Sequence, residues 1–256
     1  MTGDRIAFAV ALTAVSAASL LSCTDIPTAD NAVLSIEFDS LPSPSVVLGD
    51  TIRDSTGKAV PITATVFNFK GAVISGAPVR FHALDRGIRM DSVTGFAIGD
   101  SVRDIPVRIA VSVGSLQAIR TLDVVLRPDT VVAVNGRDSL SYALLDSTKN
   151  VSPALSVRVQ HSLTSADSVV KSYLVTFTVI SPADTLLARL VNEGGKSSRI
   201  DTTDVAGLAS RQIRLSPARL TALTDSVIVS ATVKYHGANV RGSPVRLVLK
   251  VKPAAP

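Results

Sequence analysis

From Ala32 onward the chain is built from short runs of alternating apolar and polar residues, each closed by glycine, proline or aspartate. A period of two sends successive side chains to opposite faces of a strand, so each run can bury one face and wet the other. Residues 33–38 read as a strand closed by Pro42 and Pro44, and residues 46–48 as a second ending at the Gly49-Asp50 turn. Residues 62–67, 79–82, 90–93, 96–98, 107–111 and 119–126 follow in the same style. Arg127-Pro128-Asp129 breaks the pattern and marks a boundary. The alternation then resumes at 131–134, 155–159, 173–180, 186–191, 207–215, 227–235 and 245–251. Many short strands separated by turn residues predict an all-β protein made of two tandem sandwiches, residues 32–127 and 128–253. Tyr173, Val175, Phe177 and Val179 share one strand face and are expected at the heart of the second core. The best helical candidate is residues 217–223, a turn or two at most.

Composition agrees with this reading. The chain has 256 residues and is 46% hydrophobic, with 4% aromatic residues and no tryptophan. Valine and threonine are abundant, and both suit a half-buried pleated surface. The single cysteine, Cys23, excludes an intrachain disulfide and any cysteine-based metal site. The net charge is +5. Removing residues 1–22 takes away one acid, Asp4, and one base, Arg5, so the balance stays the same. The basic residues are scattered, with no run of them and no interleaved aromatics, and no nucleic-acid partner is expected. Solvated strand faces account for such a scatter. A mild attraction to an anionic membrane surface is the alternative.

The N-terminus carries a different signal. Residues 1–5 are polar with one basic residue, residues 6–21 are apolar and rich in small side chains, and Ser22-Cys23 follows. This is the three-part layout of an export signal. The apolar run is shorter than the roughly 20 residues needed to span a bilayer. Thr24-Asp25-Ile26-Pro27-Thr28-Ala29-Asp30-Asn31 is polar and turn-prone, which suits a tether over residues 23–31.

Two resemblances follow from these residues. Leu20-Leu21-Ser22-Cys23 resembles the lipobox of bacterial lipoproteins. That likeness implies cleavage between Ser22 and Cys23, a diacylglyceryl group on the Cys23 thiol and an acyl group on its freed amine. The protein would then be held in the bacterial cell envelope by its acyl chains, facing the periplasm or the cell surface. Thr24, where an inner-membrane retention signal would have aspartate, leans the expectation toward the outer membrane. The sandwich region resembles the bacterial Ig-like repeats of intimin and invasin type, groups 1 and 2. The residues that carry this are Val46-Val47-Leu48-Gly49-Asp50-Thr51, Gly76-Ala77-Pro78-Val79-Arg80-Phe81, Asp91-Ser92-Val93-Thr94-Gly95 and Thr203-Asp204-Val205-Ala206-Gly207-Leu208-Ala209. The resemblance spans about residues 32–252 and implies adhesion, spacing or scaffolding, not catalysis. The chain departs from the pattern in a long insert at 50–59 and a long loop at 192–206.

Residues with chemical potential are few. His82, His161 and His236 have no histidine, cysteine or carboxylate nearby at ligand spacing, and a surface or half-buried role is expected. The acid pairs Asp100/Asp104 and Asp201/Asp204 resemble the loop carboxylates that hold calcium between tandem Ig-like domains, but Arg103 and Arg199 intervene. No cofactor is expected. Gly194-Gly195-Lys196-Ser197 ends like a phosphate loop but lacks the upstream glycine, so it reads as a plain loop. Gly76-Ala77-Pro78-Val79 and Gly242-Ser243-Pro244-Val245 echo each other as turns entering strands, expected at sheet edges because proline donates no hydrogen bond. The function that emerges is non-catalytic binding, spacing or scaffolding through a protein partner of unknown identity. The alternative is an accessory subunit that stabilises an integral membrane complex.

Overall fold

The computed structural model describes residues 32–143, 150–162, 168–220 and 225–254. The expected signal peptide, the cleavage site at Ser22 and Cys23, and the whole tether at 23–31 lie outside the described residues. The chain divides into a small unit, whose described residues are 32–35 and 66–76, and a large one that holds the rest. In the small unit Phe67 bridges Val73. The turn between them is closed by Asn68, whose side-chain oxygen accepts the Lys70 and Ala72 amides at 2.9 Å.

Before Arg127 the strands are β1 (Val33–Phe38), β2 (Ser45–Val47), β3 (Ala64–Asn68), β4 (Arg80–Ala83), β5 (Ile88–Met90), β6 (Ala97–Gly99), β7 (Val107–Val113) and β8 (Leu116–Val125). After it come β9 (Thr130–Asn135), β10 (Arg137–Tyr142), β11 (Leu155–His161), β12 (Ser168–Val169), β13 (Leu174–Ser181), β14 (Ala188–Val191), β15 (Ile200–Thr202), β16 (Leu208–Leu215), β17 (Ser226–Thr232), β18 (Lys234–Tyr235), β19 (Ala238–Asn239) and β20 (Val245–Pro253). One 3₁₀ turn at Pro217–Arg219 stands where a helix is expected, and residues 221–224 lie outside the described residues.

Among the described residues, every sheet draws its strands from one side of Arg127. The first group has a four-stranded sheet, β2-β8-β7-β4, and the pairs β1-β3 and β5-β6. The second has a five-stranded sheet, β10-β20-β17-β13-β15. Opposite it, β11 pairs with β9 on one side and β16 on the other, and β16 pairs with β14. The orders β9-β11-β16-β14 and β20-β17-β13 are those of an immunoglobulin sandwich. Each group also closes with a parallel pair between an early strand and its last, β2 with β8 and β10 with β20. The protein is thus all-β and immunoglobulin-like.

Alternation explains the core. In β11 the odd-numbered residues Leu155, Val157 and Val159 are buried, as are Ala209, Ile213 and Leu215 from β16. From the other sheet Val175, Phe177, Val227, Val229, Leu247 and Leu249 meet them in one cluster. Val175 and Phe177 sit at its centre as expected, while Tyr173 and Val179 pack against its rim.

The structure corrects three details of the strand reading. Residues 137–142 form β10, although their one large buried apolar residue is Leu140; pairing with β20 makes them a strand. The loop expected at 192–206 contains β15, which pairs with β13. The turn at Gly76-Ala77-Pro78 does lead to an edge strand, β4, but Gly242-Ser243-Pro244 leads to β20, which has a neighbour on each side. The proline is tolerated there because ladder pairing begins only at Val245.

Candidate functional site

The three histidines have different surroundings. His82 lies on β4, half-buried, with Nε2 3.4 Å from the Ser112 hydroxyl. His161 ends β11 and is buried; its Nδ1 lies 2.8 Å from the Arg127 carbonyl and 2.9 Å from Asp129 Oδ2. His236 sits at the β18–β19 turn with φ 52°, its Nε2 2.8 Å from Asp50 Oδ2 and 3.0 Å from Arg53 Nη2. The carboxylates that sequence spacing failed to place beside His161 and His236 arrive through the fold. Among the described residues no group of three or more potential ligands is gathered for a metal. Of the acid pairs, Asp201 bonds Arg211 at 2.7 Å and Asp100 lies 3.4 Å from Arg89. Asp204 caps its own turn through the Ala206 and Leu208 amides. Gly194-Gly195-Lys196 makes a hairpin turn closed by Asn192, whose amide donates to the Lys196 carbonyl at 2.9 Å.

The most constructed polar site is the joint between the two strand groups. Its first part is the insert at 50–59. Arg53 bridges Ala59, and Asp54 closes the turn by accepting the Thr56 and Lys58 amides. Asp50 receives Arg53 in a two-pronged ion pair, Nε to Oδ2 at 2.8 Å and Nη2 to Oδ1 at 2.9 Å. It also accepts the Thr51 amide at 2.8 Å. A His236 tautomer with its proton on Nε2 donates to the same carboxylate, which joins the β18–β19 turn to the insert. Gly57 and Gly237 meet there backbone to backbone: a β-carbon on Gly57 would lie 2.3 Å from the Gly237 nitrogen.

A second strut runs beside it. The Ser45 hydroxyl donates to the Ser172 carbonyl at 2.6 Å, and the Ser172 hydroxyl donates to Asp123 Oδ2 at 2.6 Å. Lys171 lies 3.3 Å from Asp123 Oδ1 and donates to the Asp104 carbonyl at 3.2 Å. Tyr173 donates its hydroxyl to the Lys234 carbonyl at 2.7 Å. Burial pushes that phenol up, and Tyr235 and Asp50 push it further, so it stays a donor. A crevice of about 20 Å³ lies among Ser45, Asp50, Arg53, Tyr173 and Lys234, room for about one water molecule.

The connection itself is pinned. Arg127 Nε donates to Asp129 Oδ1 at 2.6 Å, the Asp129 amide donates to the Gln160 carbonyl, and the Arg241 amide donates to the Asp129 carbonyl. Val47 and Val125 of the first group join the hydrophobic cluster of the second. His236 Nε2 thus contacts Asp50 and Arg53, and among the described residues no hydroxyl or thiol is hydrogen-bonded to it.

The electrostatics of Asp50 make the joint sensitive to acid. Burial raises its pKa, but the Arg53, Thr51 and His236 hydrogen bonds outweigh that and hold the carboxyl below its ordinary value. A depressed carboxylate pKa adds stability that is fully present above the unfolded value near 3.8 and is lost as pH falls through the folded value. Asp50→Asn should therefore destabilise the protein at neutral pH, by about 1–3 kcal/mol for a lost charged hydrogen-bond partner. The gap between variant and wild type should narrow below about pH 4. Chemical denaturation at pH 7 and pH 3 measures both.

No protein family matches the sequence, and no curated protein matches it. Among solved structures, domains 4 and 5 of the S-layer protein SbsC align over 87% of this chain and 99% of theirs, at 11% identity and a TM-score of 0.30. The chain spans 28% of the longer S-layer chain rSbsC(31-844), at 11% identity and a TM-score of 0.31 over 87% of its own length. Human protocadherin-24 EC1-2 aligns over 88% of this chain and all of that one, at 15% identity and a TM-score of 0.28. At these scores the likenesses add nothing to what the strand pairing already defines.

Proposed function

We propose that this chain is a non-catalytic, lipid-anchored protein of the bacterial cell envelope. Its two Ig-like modules, of intimin and invasin kind, serve adhesion, spacing or scaffolding. The observation that carries this reading is the joint. A chain whose two sandwiches share apolar residues and are cross-bonded by Asp50, Arg53, His236, Ser45, Ser172 and Asp123 is suited to holding binding surfaces at a set separation. The anchor is Cys23, supported by the Leu20-Leu21-Ser22-Cys23 motif at the end of an apolar run. Two or three acyl chains, at about 0.8 kcal/mol per buried methylene, make such attachment effectively permanent.

The mature protein isolated from native membranes should begin at Cys23 and carry the mass of its acyl groups. Cys23→Ser should leave the protein unprocessed or soluble. A membrane-bound Cys23→Ser protein whose wild type shows no acyl mass would sink the anchor. Purification in mild detergent separates a free-standing module from an accessory subunit, because a subunit brings a stoichiometric membrane complex with it.

A further inference from the structure

Four of the basic residues that look scattered along the sequence converge on one sheet face. In β20 the inward residues are Leu247, Leu249 and Val251, and Arg246, Lys250 and Lys252 alternate with them on the outer face, all exposed. β10 runs parallel beside it and adds Arg137, opposite Val248, with Ser139 opposite Lys250 and Ser141 opposite Lys252. On the other flank β17 adds Ser226 opposite Lys250 and Ser230 opposite Arg246. Four cations thus stand on two adjacent strands, about 5 Å apart across the sheet and about 7 Å from one outward residue to the next. Half-buried Val248 lies between Arg246 and Lys250, and Ser139, Ser141 and Ser226 flank the cations from the neighbouring strands. None of the four has an ion-pair partner among the described residues. The nearby acids are occupied elsewhere: Asp138 accepts from Asn135 and the Ser139 amide, and Asp225 accepts from the Ser226 hydroxyl. A shallow hollow of about 720 Å³ opens between Arg137, Asp138, Ser139, Arg246, Val248 and Lys250, so three of its six lining residues are cations and one is an acid.

We propose that this face of the second sandwich docks on an anionic bilayer, with Arg137, Arg246, Lys250 and Lys252 against lipid phosphates. A group of cations without counter-ions is complementary to such a surface, and each contributes attraction within a Debye length of it. The face has no aromatic residue on which a base could stack, which sets it apart from a nucleic-acid platform. For its location the proposal rests on the envelope reading. The acyl anchor at Cys23 would hold the whole chain at one membrane, with the tether at 23–31 allowing Ala32 at most about 30 Å from the headgroups. At such effective concentration a modest affinity suffices.

The test removes the acyl chains from the problem. The mature chain, residues 23–256 with Cys23→Ser, is mixed with vesicles of phosphatidylcholine alone or with 30% phosphatidylglycerol, and co-sedimentation is measured (the mixing ratio is roughly that of an anionic leaflet). Binding should require the anionic lipid and fall as salt rises. Arg246→Gln with Lys250→Gln should weaken it about 25-fold, two cations at about 5-fold each. Arg80→Gln with Arg120→Gln, an equal change of net charge on other strands, should weaken it under about 3-fold. Circular dichroism checks that all variants are folded. Equal binding to neutral vesicles, or equal losses from the two double variants, would overturn the proposal. If native protein lacks acyl mass yet this binding holds, the anchor has failed and the face has not.

Discussion

Phe177→Ala should cost the protein about 3–5 kcal/mol, the largest effect of any single truncation in this chain. Phe177 is wholly buried and is the largest of the fully buried side chains. It stands on β13, between β17 and β15, and shares one buried cluster with Val157, Val159 and Ile213 of the opposite sheet. Among these mostly branched aliphatic neighbours few side chains are long enough to swing into the space. The cavity would stay largely open, and its lining would lose its contacts outright. With only one cysteine in the chain, no disulfide can hold the second sandwich together while its core is weakened. Urea denaturation should show a midpoint lowered well beyond that of a rim change such as Val179→Ala, with an unchanged slope. A loss below about 1.5 kcal/mol would mean that the core is not packed as described.

The second large effect is expected at the joint. Gly57→Ala puts a methyl group 2.3 Å from the Gly237 nitrogen and 2.9 Å from its α-carbon, where only backbone can yield. Gly57 also has φ 83°, in the left-handed region, which costs a residue with a β-carbon about 1–2 kcal/mol by itself. Both sandwiches should survive this change, because Gly57 belongs to neither core. Their coupling should not. The wild type, with Val47 and Val125 inside the second cluster, should unfold in one calorimetric transition, and Gly57→Ala should split it into two. A single transition at the wild-type temperature would show that the 50–59 insert does not hold the joint.

The anchor, the acid response of Asp50 and the bilayer face depend on different residues, so they can fail separately. Under the proposed reading Cys23 would act through covalent chemistry that needs no folded neighbour. Asp50 acts through neighbours that only the fold supplies, and the basic face acts through charge on one sheet.

The comparison of sequence with structure follows the same division. The all-β class, most strand positions and the core membership of Val175 and Phe177 were legible in the alternation, because a period of two is a local property that burial on one face enforces. The insert at 50–59 was visible as a departure from the Ig-like pattern, but nothing local shows that it meets His236 and Gly237. β10 was missed for a related reason: Arg137 to Tyr142 holds a single large buried residue and becomes a strand by pairing with β20, which lies far along the chain. The basic face was partly readable. Arg246, Lys250 and Lys252 alternate with buried residues in one strand, so period-two reading puts them on one side. Arg137 joins them only through the parallel register.

By itself, then, the sequence determined which residues seek water and which avoid it, where turns interrupt the strands, and that the one cysteine follows an apolar run. The tertiary structure alone decided which strands neighbour one another, which carboxylate meets which histidine, and which cations share a face. Those outcomes depend on contacts between distant residues, and loop closure and the packing of two whole sheets select them where no local pattern can.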